Sequence, residues 1–196
     1  DTTTGHWELA GVVMEQGFHV FPAEFPSFPP ELVSRFEEAT GYRLLGNKAA
    51  SGTQIIEELG PVQQSERGLI CYTSADSVFQ IAAHEQVVPL EELYSCCMSA
   101  RKICDDYNIA RVIARPFEGS PGSYTRTAGR RDYSIDLPSP TMLDVLQEHG
   151  VETVGIGKIG DIFNHQGLTR SLVANMISGV LLFYQEGFLA RHAWGN

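Results

Sequence analysis

The sequence predicts an α/β fold, and three observations carry that expectation. Short apolar runs alternate with segments of helical period along most of the chain. Pro and Gly stand at the joints between them, where a chain changes direction. The composition is that of an ordinary globular protein: 196 residues, 43% hydrophobic, 19% charged and 10% aromatic. That length suits one large domain or two small ones.

The elements follow in order. Phe18 to Pro30 is rich in Phe and Pro and suits an extended connector, because proline lacks an amide hydrogen and biases its predecessor away from helix. From Glu31 a helix is predicted with Leu32, Phe36 and Ala39 on one face, stopped by Gly41. Ser51 and Gln54 read as a capping box for a short helix through Leu59, ended by Gly60. Residues 69–73 (LICYT) read as a buried strand, and a helix is expected from Ser77 to His84. Pro89 suits the first turn of the longest helix, to about Tyr107. Residues 109–116 form the next strand, stopped by Pro116; a Gly- and Ser-rich loop with Arg126, Arg130 and Arg131 then leads to 132–135. Residues 138–150 read as a capped helix ended by Gly150, and 151–157 as a buried strand. The last stretch, from Ser171, shows no clean period and supports no assignment.

Charge and cysteine usage exclude several classes of function. The formal net charge is −10 and the pI about 5.0, with no run of Lys or Arg, so a grip on nucleic acid or an anionic membrane is not expected. Phosphate binding would need a few Arg focused in one cleft. Cys71, Cys96, Cys97 and Cys104 show no CxxC spacing. Cys97 and Cys104 lie two helical turns apart, about 10 Å, too far for a disulfide. Free thiols suggest a reducing cytosol. No signal peptide is read, and the apolar stretch at 180–184 is too short to span a bilayer. The chain opens at Asp1, without Met and already inside a motif, so a fragment is expected.

Three segments concentrate residues able to do chemistry. In Asp1-Thr2-Thr3-Thr4-Gly5-His6-Trp7-Glu8 a hydroxyl could merely cap a helix, or could hold a phosphoryl group where helix amides stabilise anions. In Thr73-Ser74-Ala75-Asp76-Ser77 the expected strand-to-helix junction is where α/β proteins bind ligands, although Asp76 could equally be a helix cap. In 111–116, alternation puts Arg111, Ile113 and Arg115 on one strand face. Like charges on one face call for an anion, and the guanidinium fork suits phosphate; salt bridges to the abundant Asp and Glu are the plainer alternative. The six His show no metal-ligand spacing, and His84 reads as a packed core residue on an apolar helix. Arg126, Arg130 and Arg131 could be merely solvated. The glycines of 155–160 (GIGKIG) fit neither the P-loop nor the dinucleotide fingerprint.

The segments DTTTGHWE, GNKAASGTQIIEELG, YTSADSVFQIAAHEQVVPLEELY, RVIARPFEG, RRDYS and GIGKIGDIF occur in that order. Together they resemble bacterial phosphopentomutases, of the alkaline-phosphatase superfamily, over about Asp1 to Thr169. The resemblance implies an α/β, sandwich-like cap domain over 18–135, a core segment with the nucleophile motif over 1–17, and a partial core segment over 136–196. It implies interconversion of ribose or deoxyribose 1-phosphate and 5-phosphate in nucleoside salvage. The route runs through a phosphothreonine at Thr2 and a sugar bisphosphate. Ser74 and Asp76 should meet the pentose hydroxyls or phosphate, and Arg111, Ile113 and Arg115 should line the substrate face. Two divalent ions, Mn²⁺, are implied, with most of their ligands outside this chain apart from a contact by Thr2.

Partners implied are the pentose phosphate and the bisphosphate, on a cytoplasmic monomer that touches neither nucleic acid nor membrane. Ala110 stands where the family usually has Gly, and the pattern is lost after Thr169. Lacking the metal ligands, this chain alone is expected to be inactive. Two alternatives stay open. One is another metal-dependent phosphosugar mutase of the same superfamily; the other is a catalytically dead sugar-phosphate-binding module.

Overall fold

A computed structural model describes the backbone of residues 2–172 and the side chains of residues 3–172; the stretch from 173 onward, for which no assignment was expected, lies outside the described residues. The elements are α1 (Thr2–Leu9), α2 (Pro30–Thr40), β1 (Leu44–Ala49), α3 (Gly52–Glu66), β2 (Leu69–Thr73), β3 (Val78–His84) and α4 (Leu90–Asp105). They continue with β4 (Arg111–Glu118), β5 (Thr125–Arg126), β6 (Arg131–Ser134), α5 (Met142–Glu148), β7 (Val154–Ile156), α6 (Ile159–Ile162) and β8 (Arg170–Leu172). Two compact units result. One is Glu15–Ile135; the other, among the described residues, is Thr2–Met14 with 136–172. The expected α/β class is the one found.

The first unit is built on a six-stranded mixed sheet, ordered β1-β2-β3-β4-β5, with β6 also paired to β4. The pairs β1–β2 and β3–β4 are parallel and the others antiparallel. Strand alternation sends successive side chains to opposite faces. Leu69, Cys71, Phe79, Ile81, Val112 and Ala114 pack with Leu32 and Phe36 of α2 and with Leu93, Cys97 and Ala100 of α4. Ile70, Tyr72, Ala82 and Phe117 face the other way, onto Ile55 and Ile56 of α3.

Several expectations change. The segment 77–84 is a strand, not a helix: Val78–His84 is buried at every position and pairs with β2 on one side and β4 on the other. An apolar run buried on both faces has no period to tell helix from strand, so pairing decides. Asp76 therefore caps no helix; it sits in the tight turn joining β2 to β3. His84 is buried as expected, but on a strand, with Nε2 beside the Gly119 carbonyl at 3.1 Å and Nδ1 accepting from the Gln86 amide.

Local stop signals were also overridden. Helix α3 runs through Gly60 and Pro61 to Glu66, and Ser51 at its N-cap makes no side-chain capping bond. Burying Ile55, Ile56, Gly60 and Gln63 along the sheet outweighs the one intrahelical bond that Pro61 cannot make. Pro116 lies inside β4 rather than ending it. The Arg111 amide bonds toward β3, to the Ser77 carbonyl, so by alternation residue 116 turns its nitrogen to the other edge. There β6 has ended opposite Ala114 and β5 begins opposite Phe117, and the missing amide loses no ladder bond.

The segment expected to be an extended connector, 18–30, is non-helical through Pro29, with Pro30 opening α2, yet it is core as well as connector. Phe21 and Phe28 are buried, with ring centroids 4.8 Å apart, and Phe28 lies 4.6 Å from Phe79. Ala39 is exposed, off the buried face of α2, and strand β1 had no sequence signal.

In the second unit Trp7 is fully buried and its Nε1 donates to the Ile162 carbonyl at 2.8 Å. Strands β7 and β8 pair in parallel. The expected buried strand over 151–157 shrinks to Val154–Ile156, where only Gly155 is buried. Helix α5 is capped as expected, by a reciprocal box between Thr141 and Asp144, and Gly150 follows it at φ 74°. Among the described residues no helix is long and apolar enough to cross a membrane.

Candidate functional site

Helix α3 packs on β1, β2 and β3 and not along β4. The β4 strip on that face carries Arg111, Ile113 and Arg115, which alternation sets opposite Val112 and Ala114. The spacing expected from sequence is therefore real: the three share a face, with Ile113 buried between two half-buried arginines. Arg111 and Arg115 are four residues apart, roughly 13 Å along the strand, so they serve different ends of the strip.

The Arg111 end is an ion-pair cluster. Its guanidinium lies 3.8 Å from the Asp76 carboxylate and 3.8 Å from Asp132. Asp132 reaches the strip because it stands opposite Ile113 on β6, and it takes two 2.7 Å hydrogen bonds from Arg130. Asp76 is mostly exposed at the tip of the β2–β3 turn, with half-buried Ser74 two residues before it. At 3.8 Å neither contact of Arg111 is a hydrogen bond, and the half-exposed guanidinium keeps donors for a ligand.

The Arg115 end is more cationic. Arg115 donates from Nε to Gln80, the buried polar residue at the centre of β3, at 3.1 Å. Burial lowers the Arg115 pKa from its ordinary value, and the nearby charges of Arg130 and Arg126 lower it further. Tyr72 lies on the same face from β2. Burial raises its pKa, opposed by the charges of Arg115, Arg126 and Arg130. Arg126 stands opposite Phe117 across the β4–β5 pair.

Five of the six residues chosen from sequence thus belong to the first unit: Ser74, Asp76, Arg111, Ile113 and Arg115. Thr2 opens α1 in the second unit. Sequence reasoning missed Tyr72, Gln80 and Asp132 and set Arg126 and Arg130 aside as solvated. One signal was available: Gln80 interrupts an otherwise apolar, fully buried run. Tyr72 offered none, since its position in LICYT looks like core. In the second unit a concavity of about 270 Å³ is lined by Lys158, Asp161, His165 and Ser171 among others, with Gly157 and Gly160 of the glycine-rich segment at its edge. Among the described residues no three His, Cys, Asp or Glu side chains converge as metal ligands.

Comparison with known proteins bears on this face. No family model matches the chain. The chain is 53% identical over 173 residues to the phosphopentomutase of Thermotoga petrophila, covering 87% of this chain and 44% of that protein. It is 54% identical over 173 residues to that of Anaeromyxobacter dehalogenans, 88% of this chain and 44% of the relative. With the phosphopentomutase of Carboxydothermus hydrogenoformans it shares 56% over 170 residues, 86% of this chain and 43% of the relative. The resemblance seen in the motifs therefore extends through most of the chain, which spans less than half the length of these curated relatives.

Proposed function

We propose that this chain, a phosphopentomutase sequence over about 87% of its length, carries the substrate-gripping cap and the phosphoryl-carrying threonine of such an enzyme. The observation that supports it best is the strip on β4: a carboxylate and an arginine at one end, a guanidinium tied to a buried glutamine at the other. On this reading Glu15–Ile135 is the cap and the second unit is part of the core. Asp76, an acceptor only, selects sugar hydroxyls and would repel a phosphate; Ser74 assists it. Arg111, Ile113 and Arg115 form the wall against which the pentose phosphate lies.

Thr2, at the start of α1, carries the phosphoryl group, where helix amides favour an anion. It gives that group to the pentose phosphate, forming a bisphosphate, and receives the other phosphoryl group back. One P–O bond forms as another breaks in each transfer, and the net change is isomerisation between the 1- and 5-phosphates. The reading includes two divalent ions, Mn²⁺, which would neutralise charge on the phosphoryl group. The described residues provide no fitting ligand set for them. It also takes the protein to be a cytoplasmic monomer whose partners are the pentose phosphate and the bisphosphate.

A binding module without catalysis is the second reading, in which the β4 strip, set wholly within the first unit, acts apart from Thr2. Calorimetric titration with ribose 5-phosphate and with ribose tests what the two share. The 5-phosphate should bind and ribose bind far more weakly, and Arg111→Ala should weaken the 5-phosphate about tenfold or more, the worth of a charge-assisted bond. Equal binding of both sugars would refute the reading. A mutase assay with Mn²⁺ on a protein containing this segment separates the two: Thr2→Ala should abolish turnover if the threonine carries the phosphoryl group.

A further inference from the structure

The Arg115 end of the strip holds an electrostatic conflict and an unmet hydrogen bond. Tyr72 is 1% exposed, and its buried hydroxyl makes no well-formed hydrogen bond, with only the Arg126 guanidinium beside it, which is uncommon for a buried polar atom. The hydroxyl is aimed at the start of α3. A Cβ placed on Gly52 would stand 2.5 Å from Tyr72 Oη and 1.9 Å from Arg126 Nη2. Hydroxyl and guanidinium therefore converge on the first residue of a 15-residue helix, and only glycine leaves room for them.

Two features of α3 sharpen the point. Ser51 sits at the N-cap but gives no side-chain bond to the first-turn amides; its hydroxyl lies 3.1 Å from that of Thr53 instead. Those amides have no intrahelical acceptor, and the helix dipole makes this end positive. A guanidinium is the wrong charge to place there. Yet Arg126 lies against it, with the Arg115 and Arg130 charges close enough to act on the same Tyr72. Asp132 offsets Arg130 through two hydrogen bonds, which leaves a net positive site.

We infer that the first turn of α3, the Tyr72 hydroxyl, Arg126 and Arg115 together seat a phosphate monoester. A dianion accepts from the hydroxyl, from the first-turn amides and from two guanidinium forks at once, and turns each repulsion into an attraction. A carboxylate, with two oxygens and one charge, meets fewer of these donors and offsets less of the positive charge. The seat lies four residues along β4 from the Asp76–Arg111 end. The pentose as its sugar rests on the function proposed above; the phosphate seat does not depend on it.

Calorimetry with inorganic phosphate and with ribose 5-phosphate, on the full chain at fixed ionic strength, tests it. Tyr72→Phe removes one hydroxyl and should weaken both ligands about tenfold, since hydrogen bonds to charged groups are the strong ones. Gly52→Ala pushes the Arg126 guanidinium aside and should weaken both at least as much, with the fold checked by circular dichroism. If ribose 5-phosphate binds the wild type and both variants equally, the seat is wrong and the pentose reading stands. If inorganic phosphate binds, Tyr72→Phe weakens it and the pentose adds no affinity, the seat stands and the pentose reading fails. Failure of both ligands to bind the wild type at millimolar concentration overturns the seat.

Discussion

Replacing Gly60 by alanine sets two effects of known size against each other. In an exposed helix the change would stabilise by about 1 kcal/mol, because glycine loses more backbone entropy on folding. Here a Cβ on Gly60 would lie 2.5 Å from Tyr124 Cε2 and 2.8 Å from Cζ, well inside contact distance. Tyr124 cannot retreat freely. It is 7% exposed, stacks edge-on against Phe117 at 5.3 Å and hydrogen-bonds Gln64 at 2.5 Å. Forcing it aside costs about 1–3 kcal/mol in overpacking, and losing its hydroxyl bond about 1 kcal/mol more. The sum favours destabilisation by roughly 2 kcal/mol, some 8 °C in Tm for a unit of this size.

A urea titration followed by far-ultraviolet circular dichroism measures it, since neither Trp7 nor Trp194 lies in the first unit. The same Gly60→Ala change in a Tyr124→Ala background should lose its penalty and become stabilising. A higher midpoint for Gly60→Ala alone, or the same effect in both backgrounds, would refute the packing argument and return Gly60 to the helix-stop role its sequence suggests.

Two further predictions follow from burial and capping. Burial pushes the Asp144 carboxyl up, but hydrogen bonds from the Thr141 amide and hydroxyl and from Gln166 outweigh it and hold it below the usual 3.8. Its contribution is therefore present above that value and lost as pH falls through the lower, folded one. Asp144→Asn should lower stability by about 1 kcal/mol at neutral pH, with the gap to wild type closing in acid. A gap that widens there would contradict the assignment. Burial also raises all four thiols, Cys96 to about 11 and Cys104 to about 12, with Cys71 and Cys97 well above their ordinary value. Iodoacetamide should therefore label none of them quickly in the folded protein and all four in urea; one fast-reacting thiol in native buffer would show the packing of this core to be wrong.

Legibility from sequence followed locality. Helix α2 with Gly41 in the left-handed region, α4 behind Pro89, β2 and the Thr141 cap were readable because each rests on a few adjacent residues. The strand at 78–84 was not, since a segment buried on all sides carries no period, and the stops at Gly60 and Pro116 failed because distant partners, Tyr124 and the β5–β6 gap, decide there. The same division runs through the candidate site. Alternation was enough to set Arg111, Ile113 and Arg115 on one face, because period two is a property of the strand itself. That Tyr72, Gly52 and Arg126 meet beside Arg115 depends on residues from β2, α3 and β5, up to 74 positions apart in the chain. By itself the sequence determined the α/β class and the arginine-bearing strand, whose causes are local. Which arginines face an aspartate and which face a helix end was decided only by the sheet's order, because charge acts through space and not along the chain.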